Sequence, residues 1–125
     1  VAAFASWHEG HEAAQAVLVG AVRLPAHVAL EVLSVLTRLP PPHRANSAIV
    51  VDFIEARFRE PLLTPPGSVQ RKLMREASEH GITGGSLYDA LVAATTRHAG
   101  ATLLTRDRRA VRVYEALGAR YQLVS

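Results

Sequence analysis

The sequence predicts an α/β fold: a mostly parallel sheet with helices on both faces, in three layers. Three observations point there. Helix-length and strand-length segments alternate along the 125 residues, and parallel strands need such crossover connections between them. Two short β-favouring runs, "ATLLT" and "RYQLV", flank the helical segment "RRAVRVYEALG". Helical segments also close on Gly81, Gly100 and Gly118, the residue type that most readily takes the left-handed conformation of a helix stop.

The elements follow in order. "HEGHEAAQAVLVGA" (8–21) reads as a helix and "VRLPAHV" (22–28) as a short strand broken by Pro25. "ALEVLSVLTRL" (29–39) has helical length and spacing and ends at the prolines of "LPPPH". "RANSAIVVDFIEARF" (44–58) is an amphipathic helix with Ile49, Phe53 and Phe58 among its apolar positions, and "PLLTP" (61–65) a short strand. "SVQRKLMREASEHG" (68–81) begins with Ser68 as a cap and stops at Gly81. "SLYDALVAATTRHAG" (86–100) repeats that design from Ser86 to Gly100. The strand "ATLLT" (101–105), the helix "RRAVRVYEALG" (108–118) and the strand "RYQLV" (120–124) complete the chain. No repeat or linker divides it, so one domain over 1–125 is expected.

Composition narrows the function classes. No apolar run approaches the roughly 20 residues that span a bilayer, and acidic residues flank the early apolar stretch where a signal peptide carries basic ones. A cytoplasmic protein without a membrane partner is expected. With no cysteine, disulfides and thiolate metal sites are excluded. The net charge is +3 and the positive part is almost all arginine, with Lys72 the sole lysine. Arginine's planar fork suits phosphate, and an arginine-rich genome gives the same composition.

Aspartate is scarce: only Asp52, Asp89 and Asp107 occur. Asp89 lies in "SLYDALVAATT" among Leu, Ala and Val, with no basic residue before Arg97. A carboxylate in apolar surroundings is costly unless paired or bound to a metal. Asp107 follows the strand "ATLLT" by two residues, at the carboxyl edge where open α/β sheets bind ligands. Glu31 sits at the start of an apolar helix in "HVALEVLSVL". Each has a plain structural reading beside the functional one. Glu31 and Asp89 suit the positive end of a helix dipole, and Asp107 suits a cap for the helix at Arg108. Together they form a set of hard oxygen ligands of the kind that Mg²⁺ or Mn²⁺ takes, and such a metal activates water for phosphoryl chemistry.

The segment "SLYDALVAATTRHAGATLLTRDRRAVRVYEALG" resembles the C-terminal half of the PIN-domain ribonucleases, specifically the VapC-type toxins of toxin–antitoxin pairs. Their D-A-x-x-A-A helix is matched by Asp89-Ala90-Leu91-Val92-Ala93-Ala94, and their T-x-D strand end by Thr105-Arg106-Asp107. Glu31 in "LEVLSVLTRLP" stands where the family has a glutamate early in the helix after its second strand. The resemblance implies a PIN-like α/β/α fold and metal-dependent hydrolysis of RNA phosphodiester bonds. It further implies that Glu31, Asp89 and Asp107 hold Mg²⁺ or Mn²⁺, with Thr105 beside them orienting a carboxylate or water. Its partners would be an RNA substrate, a cognate antitoxin that silences the site, and a second copy in a homodimer.

One departure accompanies the resemblance. The family begins with a strand ending in an aspartate, and "VAAF" resembles the helix after it, so that strand is expected upstream of Val1. The chain as it stands is therefore expected to bind metal poorly and to cleave slowly or not at all. The alternative reading is a catalytically impaired PIN-like module that binds an antitoxin-like partner or RNA. Around Asp107, Arg106, Arg108 and Arg109 are placed to hold RNA phosphates without reading sequence. In "WHEGH", His8 and His11 share a helical face, but this is not the H-E-x-x-H pattern of zinc hydrolases. The remaining histidines, His27 among them, have no partner visible in sequence.

Overall fold

The computed structural model describes residues 23–124, so the expected helix over 8–21, with His8 and His11, lies outside the described residues. The chain divides into two compact units, the first running to Leu62 and the second beginning at Leu63. No helix among the described residues is long and apolar enough to cross a membrane.

The first unit holds α1 (Ala26–Thr37) and α2 (Ser47–Arg57), which pack against each other. Here the reading of "VRLPAHV" as a strand is corrected. Pro25 ends the extended stretch as a single bridge residue, and Ala26, His27 and Val28 are already helical. Proline's fixed φ suits the start of a helix, and the Pro25 carbonyl accepts from Val28 N and Ala29 N at 3.1 Å each. Val28 and Val32, one turn apart, are buried. α2 starts at a strong cap: Asn46 Oδ1 accepts from Ala48 N at 2.9 Å and Ile49 N at 3.4 Å. Its buried stripe runs through Val50 to Phe58, with Phe53 and Ile54 half-buried, while Ile49 is 65% exposed. Ile49 lies one residue, about 100° of rotation, off that stripe.

The second unit is built from α3 (Gly67–Glu79), α4 (Ser86–His98), β1 (Leu103–Thr105), a 3₁₀ turn (Arg108–Ala110), α5 (Val111–Ala116) and β2 (Tyr121–Leu123). The expected strand "PLLTP" is reduced to a single bridge residue at Leu63. The serine caps are also corrected. Pro66 is the N-cap of α3, so Ser68 is already inside the helix, and Gly85 precedes Ser86 in α4 without a side-chain cap.

The helix ends agree with the sequence. At the end of α4, Gly100 has φ +66°, Ala101 N donates to Thr96 O at 3.1 Å and Gly100 N to Arg97 O at 3.1 Å. That paired bond pattern is the Schellman motif, and it turns the chain out of α4 toward β1. Gly118, at φ +71°, does the same between α5 and β2, with Ala119 N on Tyr114 O at 3.0 Å.

β1 and β2 pair in parallel, with Leu103 opposite Tyr121, Leu104 opposite Gln122 and Thr105 opposite Leu123. The connection between them carries α5, as parallel pairing requires. α4 packs against both α3 and α5. Ala90 and Ala93 are fully buried on α4, in one apolar cluster with Leu73 of α3 and Val113 and Tyr114 of α5. Small side chains on α4 let its neighbours approach closely. Thr95 and Thr96, also buried, return their hydroxyls to Leu91 O and Val92 O at 2.7 and 2.8 Å, so neither is left unsatisfied.

Candidate active site

The second unit carries two of the three candidate carboxylates, one of them just past the carboxyl end of β1. Thr105, the last residue of the strand, is buried, and its hydroxyl oxygen accepts from Asp107 N at 3.1 Å. Threonine thus fastens the backbone of the residue two positions on, a local turn device. Its ordering role acts on the main chain of Asp107.

Asp107 itself is exposed and caps the 3₁₀ turn, its Oδ1 accepting from Arg109 N at 3.0 Å. The capping reading of the sequence is therefore correct, and it leaves the ligand reading intact. A carboxylate has two oxygens and about four acceptor positions, of which this bond uses one. Substitutions separate the two roles. Asp107→Asn keeps a good cap and removes the charge, so its thermal stability should stay near that of the parent. Asp107→Ala loses the cap and should cost about 1 kcal/mol in a urea titration. Equal stability of Asn and Ala variants would show that the cap contributes nothing.

Asp89 stands in the first turn of α4, half-buried, next to the fully buried Ala90. α4 packs on α5, and Asp107 caps the turn that leads into α5. Arg108 and Arg109 are exposed beside Asp107, and Arg106 is partly so. Arg97, at the other end of α4, bridges three elements. Its guanidinium reaches Glu76 at 3.6 Å and donates to Leu117 O at 3.2 Å, linking α4 to α3 and to the end of α5.

Glu31 belongs to the first unit, exposed on α1. Because α1 begins at Ala26, Glu31 lies past its first turn, which holds no acidic residue. The explanation of Glu31 as a partner of the helix dipole is thereby removed, since that effect fades beyond the first turn. One turn earlier stands His27, a residue to which the sequence assigns no role. Its Nε2 is buried without a hydrogen-bond partner among the described residues. Burial holds the imidazole pKa below its usual value, and the charge of Glu31 works in the opposite direction. Only the folded environment reveals this, because the signal is a buried atom and not a residue spacing. Within neither unit do three His, Asp or Glu side chains among the described residues gather into a set able to hold a metal.

The PIN domain family profile matches residues 1–116. The chain belongs to the PIN-domain family. This PIN domain is 49% identical over 125 residues to the protein named Ribonuclease VapC40 of Mycobacterium tuberculosis, covering 100% of the chain and 93% of that relative. It is 38% identical over 117 residues to Ribonuclease VapC27 of the same organism, covering 94% of the chain and 78% of the relative. No solved structure matches it significantly. The α/β class read from the sequence is that of this PIN domain, which is mainly helical with a small parallel sheet in the described residues.

Proposed function

We propose that this PIN domain is a VapC-type toxin that hydrolyses RNA phosphodiester bonds with Mg²⁺ or Mn²⁺ and is silenced by a cognate antitoxin. The observation that carries the reading is the likeness to Ribonuclease VapC40 along the entire chain. The placement of Asp107 just past β1 is in keeping with it. Glu31, Asp89 and Asp107 are the residues we assign to the metal. The donor chemistry suits it: Glu31 and Asp107 are exposed carboxylates, and the capping bond leaves Asp107 with acceptor capacity. A divalent ion held there supplies an activated water and neutralises charge on the attacked phosphate.

The rest of the work falls to the chain itself. Thr105 holds the backbone at Asp107. Arg106, Arg108 and Arg109 bind the RNA backbone, a contact that positions the strand without selecting its sequence. A homodimer in the cytoplasm completes the proposal.

The direct test is incubation of the purified protein with RNA and Mg²⁺ or Mn²⁺. Cleavage should stop on chelation and return with excess metal; metal-independent cleavage would overturn the assignment. Replacing Arg106, Arg108 and Arg109 together with Gln should weaken RNA binding and reduce the slope of log affinity against log salt by about 2, at roughly 0.7 for each phosphate no longer neutralised. An unchanged slope in fluorescence anisotropy would show that these arginines do not meet phosphate.

A further inference from the structure

Among the described residues Tyr88 is the one aromatic side chain left exposed, at 67%. Phe53 and Tyr121 are half-buried, and Phe58 and Tyr114 are buried. Tyr88 stands in the first turn of α4, next in sequence to the half-buried Asp89. Its backbone N donates to Gly85 O at 3.1 Å, so the helix fixes its main chain while the ring stays in solvent.

Topology sets the edge of the second unit at which this turn lies. α5 connects two parallel strands and so runs opposite to them. α4 packs on α5, and Arg97 in its last turn donates to Leu117 O, just past the end of α5. Arg120, just before β2, donates to Gly100 O, just past the end of α4, at 2.9 Å. Both helices therefore end where the strands begin, and both start toward the edge where the strands end. That edge carries Arg106, Arg108 and Arg109 after β1.

An exposed tyrosine offers a flat apolar face, and a nucleobase stacks on such a face whatever its identity. Charge selects the occupant. Were this edge to meet its own copy across a two-fold axis, the same arginines would face one another, whereas an RNA strand brings the phosphates that they suit. We propose that Tyr88 is a stacking platform for one unpaired base of the bound RNA, next to the scissile phosphate. The proposal rests on the RNA-cleaving reading given above. A base inside a duplex has both faces covered, so only an unpaired one can reach the ring. Stacking involves no phosphate, so it adds affinity without adding salt dependence.

Fluorescence anisotropy with a single-stranded RNA in EDTA, which prevents metal-dependent cleavage, tests this. Tyr88→Ala should weaken binding by about 10-fold, and Tyr88→Phe should bind like the parent. The slope of log affinity against log salt should be the same in all three. An abasic strand of equal length should bind the parent and Tyr88→Ala alike. Equal affinity of Tyr88→Ala and the parent for intact RNA would overturn the proposal, as would a loss that Tyr88→Phe shares. Sedimentation of the same proteins covers the other occupant: a parent dimer that Tyr88→Ala splits would assign the ring to a subunit contact and overturn the proposal. If the parent binds no RNA, the RNA-cleaving reading fails and this proposal with it. If the parent and Tyr88→Ala bind RNA equally, the stacking role alone fails.

Discussion

Asp89→Asn should abolish metal-dependent RNA cleavage while leaving the protein folded. The substitution keeps the size of the side chain and one of its two acceptor oxygens, and it removes the negative charge that a divalent cation needs. Loss of an outer-shell partner of a metal typically costs 10–100-fold in affinity or activity, so loss of a ligand should reduce cleavage by at least about 100-fold. The expected stability change is small. Asp89 is half-buried in the first turn of α4, where a carboxylate contributes only about 0.3–1 kcal/mol through the helix dipole. Cleavage rates and a thermal melt on the same preparation check both statements. A variant that cleaves as fast as the parent would show that Asp89 is not a ligand. One that fails to fold would show instead that its role in α4 is structural.

The largest stability effect is expected from Tyr114→Ala. Tyr114 is 4% exposed and lies in the apolar cluster with Ala90, Ala93, Val113 and Leu117. Its ring meets that of Tyr121 at 6.2 Å between centroids and 49° between planes, a tilted geometry that favours aromatic pairs. Truncating a buried aromatic to alanine costs about 3–5 kcal/mol, partly through lost transfer energy and partly through the cavity left behind. Against a typical domain stability of roughly 5–15 kcal/mol, the variant should unfold at a much lower urea concentration. A loss below about 1 kcal/mol would mean that the ring is not central to this cluster. Tyr121 joins the cluster from the half-buried strand β2, and its truncation should cost less.

The candidate site is legible in the sequence to different degrees at its different residues. Asp89 and Asp107 stand out because each is a carboxylate where composition or topology does not call for one. Their elements, α4 and β1, are found where the spacing of Ala, Leu and Thr predicts them. Thr105 is marked by its motif, but its partner is not: the hydroxyl meets the Asp107 amide, a bond set by the turn. The Asp107 cap is one of two open readings, and its bond to Arg109 N decides that the cap exists. The condition of His27 is not legible at all, since sequence carries no record of which atom ends up buried.

Helix stops are the most reliable local features, because a glycine at the left-handed position satisfies the last carbonyls through bonds made within a few residues. Strands are the least reliable. "VRLPAHV" and "PLLTP" are β-favouring runs, yet each yields only a single bridge residue. Strand formation depends on what lies alongside, and propensity alone carries little of it. By contrast "ATLLT" and "RYQLV" find each other across α5, and both become strands.

By itself, the sequence determined the α/β class, the helices from α1 to α5 in order, the glycine stops of α3, α4 and α5, the absence of disulfides, and the D-A-x-x-A-A and T-x-D motifs that mark the family. All of these depend on interactions between near neighbours in the chain or on residue chemistry alone. Only the tertiary structure decided that Val50 and not Ile49 faces inward on α2, that α1 begins after Pro25 within the run read as a strand, that Pro66 and not Ser68 caps α3, and that β1 pairs with β2. It alone exposed Glu31 past the first turn of its helix, one turn from a buried histidine nitrogen. Those outcomes turn on which surfaces meet, and burial is a property of the packed chain that no local spacing encodes.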